Sequence, residues 1–168
     1  MKRLFLLMFS SLLVLPIMSQ SPEYNIWDIV ERWSKDNDYI PESMDIRPEP
    51  PRVSEKDDSV IVLTPGMTII KDGVRVTDPN HTISLSDTMQ IYTFQWWAPH
   101  AYKHMLVALR GKYHIVNFEQ SEQDIRSAIY DIAADLQLDD QQQQQLNIMA
   151  DSIEKRNELQ SGNVKIYQ

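Results

Sequence analysis

The sequence predicts an α+β fold: an antiparallel sheet of about five to six strands covered by a C-terminal helical pair, with an N-terminal amphipathic helix on a proline-rich strap. Three observations predict it. Strand and helix patterns are segregated along the chain rather than alternating, which indicates an antiparallel sheet rather than βαβ units. Asp72-Gly73 and Arg110-Gly111 each sit between β-branched or apolar runs and read as two-residue hairpin turns. Residues 121–160 repeat apolar side chains at helical spacing.

Composition narrows the function classes. The chain has 168 residues, a net charge of −8 and no cysteine. That length suits one domain, or a small domain with an arm, and the acidic balance argues against nucleic-acid binding, which needs a basic face. Without cysteine there is no disulfide, thiolate zinc site or cysteine nucleophile.

From the N-terminus, Lys2 and Arg3 precede an apolar run from Leu4 to Met18, followed by Ser19, Gln20 and Ser21. The run is shorter than the roughly 20 residues that span a bilayer. Its layout is that of a secretory signal over 1–19, cleaved after Ser19 or Gln20. An uncleaved anchor is the rival reading. No cysteine follows the run, so a lipoprotein anchor is excluded. An exported chain of this size without disulfides fits a bacterial envelope, so the expected location is periplasmic or secreted, with no membrane span after cleavage. Asn80-His81-Thr82 matches a glycosylation sequon, a coincidence in that compartment.

Residues 20–35 follow as an amphipathic helix, with Ser21 as cap and Pro22 at the first helical position. Ile26, Trp27, Val30 and Trp33 make its apolar face, while Asp28, Glu31, Arg32 and Lys35 fall elsewhere. That face either packs on the main domain or docks a partner. Residues 36–58 carry Pro41, Pro48, Pro50 and Pro51 among many charges and read as a tether or surface strap.

The α+β domain is placed at 59–168. Strands are expected at 60–63, 67–71, 74–77, 82–85 and 89–97. In the last of these Gln90, Tyr92, Phe94 and Trp96 share one face, and Met89, Ile91, Thr93 and Gln95 the other. Residues 104–109 and 112–118 form a hairpin; a helix over 100–110, opened by Pro99 and closed by Gly111, is the alternative. Ser121 caps a helix with an Ile125, Ile129, Ile132 and Leu136 stripe. Asp139 and Gln142 form a capping box for a second helix with Leu146, Met149 and Ile153 inward. Beyond Gln160 a loose tail is expected, with Val164 and Ile166 able to add an edge strand.

Two sets of residues are candidates for function. Trp96, Trp97, Tyr92 and Tyr102 surround a turn at 98–101 and, with Trp27 and Trp33, offer aromatic surface for recognition. His100, His104 and His114 are the candidate metal ligands. His100 and His104 chelate only if 100–110 is helical; on a strand they lie about 13 Å apart. Ser152-x-x-Lys155 imitates a penicillin-binding motif but lacks its companions in order. Asp36 and Asp38 begin no calcium loop, because Pro41 stands where a glycine is needed. No cofactor is called for. The reading is an exported binding protein, leaning away from an enzyme, with a protein partner in the cell envelope. The alternatives are a small metal-dependent enzyme on the three histidines, or an immunity-type inhibitor of a secreted toxin, whose negative charge steers it to a basic partner.

Overall fold

A computed structural model describes residues 23–48, 66–83, 86–96 and 103–164, with side chains to residue 159. The expected signal segment, the strand at 60–63, and Ile166 lie outside the described residues. The architecture is α+β, as the segregated pattern predicts. A five-stranded antiparallel sheet has the order β3-β2-β5-β6-β7, and a two-stranded sheet joins β1 to β4. The strands are β1 (Tyr24–Asn25), β2 (Met67–Lys71), β3 (Val74–Arg75), β4 (Thr82–Ile83), β5 (Gln90–Trp96), β6 (His104–Leu109) and β7 (Lys112–Asn117). The helices are α1 (Ile26–Asp36), α2 (Glu122–Asp135) and α3 (Asp140–Val164). No helix among the described residues is long and apolar enough to cross a membrane.

The two tight hairpins follow from their turn residues. Asp72 and Gly73 have φ of 50° and 78°, and Arg110 and Gly111 have 49° and 82°. Two successive positive φ values match the right-handed twist of the flanking strands, the geometry of a type I′ turn. Around the second turn Met105 pairs with Val116 and Leu109 with Lys112. The strand reading of 104–109 therefore holds against the helical alternative.

Every residue of β5 and β6 is buried, because helices cover both faces of the sheet. One face carries Ile69, Tyr92, Phe94, Trp96, Leu106 and Ala108, packed against Ile26, Trp27, Ile29 and Val30 of α1. The other carries Ile91, Met105, Val107 and Val116, packed against Ile125, Ile129 and Ile132 of α2 and Leu146 and Ile153 of α3. The result is three layers: α1, the sheet, and the helical pair.

β3 stops at Arg75, short of the expected residue 77, and three larger features differ from expectation. First, α1 begins at Ile26 rather than near Ser21, because Tyr24 and Asn25 pair as a strand with Ile83 and Thr82. Asn25 is the cap, its Oδ1 accepting the Trp27 amide at 2.8 Å. Second, α3 continues past Gln160, so Val164 ends a helix and forms no edge strand. Glu154, Lys155, Arg156, Glu158 and Leu159 are good helix formers, and the single Gly162 costs only about 1 kcal/mol. Third, residues 37–48 of the strap do not merely cross the surface. Ile40 and Ile46 are buried in the α1 core, and Arg47 pairs with Asp28 on α1. The caps of the helical pair are as expected: the Asp124 amide donates to Ser121 Oγ at 3.3 Å, and Asp139 and Gln142 exchange both bonds, 2.8 and 3.1 Å.

Candidate functional site

The aromatic residues singled out in the sequence converge on the α1 face of the sheet. Alternation along β5 turns Tyr92, Phe94 and Trp96 toward α1. The Trp27 indole is buried and donates to the Asp78 carbonyl at 2.9 Å. Trp96 Nε1 donates to Ser34 Oγ at 3.3 Å, and Ser34 is small enough to let α1 approach. Trp33 is half-buried against the same core. These five aromatic side chains fasten α1 to the sheet. Trp97, Tyr102 and His100 lie outside the described residues.

His104 sits in the middle of this interface. Its ring is 4.7 Å from that of Trp33 and 5.0 Å from those of both Tyr39 and Phe94, centroid to centroid. It is 1 % exposed, and its Nδ1 has no hydrogen-bond partner. Burial pushes its pKa down to about 4; Glu119 opposes that shift and Lys103 adds to it. Around it, Tyr39 stacks on Trp33 at 5.3 Å and donates its hydroxyl to Glu119. Asn117 Nδ2 donates to Tyr39 Oη at 3.2 Å, and Lys103 Nζ donates to Glu119 at 2.7 Å. Burial, with Glu119 beside it, raises the Tyr39 hydroxyl to about 12. For Glu119 burial works upward, but the bonds from Lys103 and Tyr39 win and hold the carboxyl below its usual value.

His114 is elsewhere. In the β6–β7 register it pairs with Val107, a residue of the α2 face, whereas His104 pairs with Phe94 and Asn117 toward α1. His114 Nε2 lies 2.9 Å from Asp135 of α2, whose carboxylate also takes Lys112 at 2.8 Å. Opposite faces of one sheet cannot supply one ion, so His104 and His114 do not form a shared metal site. Among the described residues no three His, Cys, Asp or Glu side chains converge to hold one. The odd parity of the interval from His104 to Val107 on β6 separates them; that interval becomes visible only once the register is known.

A second polar chain links β5 to β2 and to His81. Tyr92 donates to Gln90 Oε1 at 3.0 Å, Lys71 Nζ donates to the same oxygen at 3.2 Å, and His81 Nε2 lies 2.9 Å from Tyr92 Oη. Lys71 pairs with Tyr92 across β2 and β5, which puts its ammonium 5.3 Å from the ring centre. Burial, with Asp72 nearby, lifts the Tyr92 hydroxyl to about 12. Burial and Lys71 lower His81. Tyr92 is thus a neutral donor locked into the core.

With its apolar face committed to the sheet, α1 presents its polar face outward. Between that face and residues 42–47 lies an open cleft of about 590 Å³. Asp28, Glu31, Asp36, Glu42 and Asp45 line it, with Arg32, Lys35 and Arg47 among them. Lys35 is paired with Glu31, and Arg47 with Asp28 and Asp45. Acidic groups outnumber basic ones, so the cleft carries net negative charge. Sequence reasoning placed the α1 charges off the apolar face but missed the opposite wall, because nothing in the spacing shows that 42–47 folds back over α1. Comparisons with protein-family models, with curated proteins and with solved structures find no match.

Proposed function

We propose that this chain is an exported, non-catalytic binding protein of the bacterial cell envelope, periplasmic or secreted, that engages a protein partner through the outer face of α1 and the strap. The observation that carries the reading is the acidic cleft between α1 and residues 42–47. It is wide and open, and its charged walls suit the polar surface of another polypeptide better than a small apolar ligand. The partner would present Lys or Arg there, steered by the −8 charge of the chain. The aromatic face of α1 packs on the sheet and holds the helix in place.

The test is capture. The tagged protein is gently crosslinked in its own host, and what copurifies is identified. Asp36 and Glu42 are exposed cleft residues, so Asp36→Lys with Glu42→Lys reverses charge without touching the core. The reading expects a near-stoichiometric envelope protein whose capture is lost in the double variant at unchanged melting temperature. Capture unaffected by the reversal would refute it. The same excess of acid also favours a second reading, an immunity-type inhibitor, for which the captured partner is a secreted basic toxin whose activity the protein suppresses.

A further inference from the structure

Among the described residues, the face of the sheet opposite α1 is only partly covered. A five-stranded sheet is about 19 Å across and two helices cover about 20 Å, so their placement decides what is left open. Here α2 packs on β7 and α3 leans over Ile91 of β5, so the cover runs out above β2 and β3. The half-buried Ile70 faces the gap, beside the buried Ile91 and Thr93. The opposite wall is one stripe of α3: Met149, Ser152, Ile153 and Arg156 lie three, one and three residues apart. Together they enclose about 290 Å³, with Asp72 and Gly73 lining the hairpin end.

This pocket differs in kind from the open cleft on α1. Its floor is apolar, built from Ile70, Ile91, Met149 and Ile153. Its rim is polar and split in charge, with the Asp72 carboxylate on the hairpin turn and the Arg156 guanidinium on the helix. Arg156 also interacts elsewhere within the protein, and its five N–H donors allow a second acceptor. Ser152 stands four residues before Arg156 on the same face and adds a hydroxyl. A Cβ placed on Gly73 would meet nothing within 4 Å, so the hairpin end of the pocket is open. An apolar body with a few convergent polar groups is the usual build of a small-molecule site, and the volume is just below the common range of about 300–1,000 Å³.

We infer that this pocket binds a small apolar zwitterion, such as an apolar amino acid, with its carboxylate toward Arg156 and Ser152, its ammonium toward Asp72 and its side chain on the isoleucine floor. Charge complementarity selects that class. A lone carboxylate would meet Asp72 with the wrong sign, and a lone amine would meet Arg156. The pocket lies on the opposite side of the sheet from the α1 cleft, so the inference stands independently of the proposed partner.

The experiment uses the full mature chain with labelled Ile and Met methyls, titrated with phenylalanine, phenylacetate and phenethylamine. The expected result is saturable shifts at Ile70, Ile91, Ile153 and Met149 with phenylalanine, and binding at least tenfold weaker for each singly charged analogue. Arg156→Gln should weaken phenylalanine about tenfold. Ser152→Trp, which fills the mouth without entering the core, should abolish binding at an unchanged melting temperature. Three results overturn the inference: no saturable shift with any probe, phenylacetate binding as well as phenylalanine, or methyl contacts showing that another segment of this chain already fills the pocket.

Discussion

Acid should loosen the α1 clasp, and His104 should be the residue that reports it. In the unfolded chain a histidine takes a proton near its ordinary value of about 6.5. In the folded protein the His104 ring is enclosed by Trp33, Tyr39 and Phe94, its Nδ1 is unpartnered, and its pKa falls to about 4. The charged groups nearest it are Glu119 and Lys103. Between those two values the unfolded state binds more protons, so stability rises with pH across that window and is lost as pH falls through it. At 1.36 kcal/mol per pKa unit the full effect approaches about 3 kcal/mol, of which roughly 2 kcal/mol is lost between about pH 7 and pH 4.5. Urea denaturation midpoints of the wild type and of His104→Phe, taken at several pH values in that interval, isolate the contribution, since the carboxylates titrate in both proteins. The wild type should lose about 2 kcal/mol more than the variant, with tryptophan fluorescence following the same transition. Parallel pH profiles would refute the burial argument, and His104→Gln guards against a Phe variant that packs badly.

Other perturbations test separate parts of the fold. Tyr39→Phe removes the hydroxyl shared by Glu119 and Asn117; it should cost about 1 kcal/mol and speed amide exchange selectively in residues 37–47. Leu106→Ala opens a cavity at a fully buried position of β6 and should cost about 2–5 kcal/mol by chemical denaturation. Gly111→Ala forces a side chain onto a φ of 82° with open space around it, so only backbone strain acts; a loss of about 1 kcal/mol is expected, and no loss would dismiss the mirror-turn assignment. Asn25→Ala deletes the α1 cap and should cost about 1 kcal/mol.

Local chemistry was legible in the sequence wherever it acts over a few residues. Asp72-Gly73 announces its turn through glycine, and Ser121 and the Asp139–Gln142 box announce helix starts. The Ile125–Ile129–Ile132–Leu136 stripe faces the core as its spacing requires. Features that depend on distant partners were not legible. Ser21 and Pro22 look like a helix start, but Asn25 takes the role because Thr82 and Ile83 lie beside it. Ile40 and Ile46 sit among prolines and charges, yet only the assembled α1 layer gives them a core to enter. The surroundings of His104 combine Trp33, Tyr39, Phe94, Asn117 and Glu119 from four stretches of chain, and no local spacing relates them.

The three-layer stacking also sets an order of events. The sheet separates two apolar clusters that differ in how far apart their members lie in sequence. The cluster under α2 and α3 draws on residues 89–153, one continuous stretch of chain. The cluster under α1 joins residue 26 to residue 108, a long closure that brings its reward late. A chain made from its N-terminus releases Ile26, Trp27, Val30 and Trp33 long before β6 exists to receive them. Until residue 109 has emerged, this helix has an unmatched apolar face. That interval is when the protein most needs a chaperone, and when a mutation that slows the β5–β6–β7 meander would convert into aggregation rather than into a lower melting temperature.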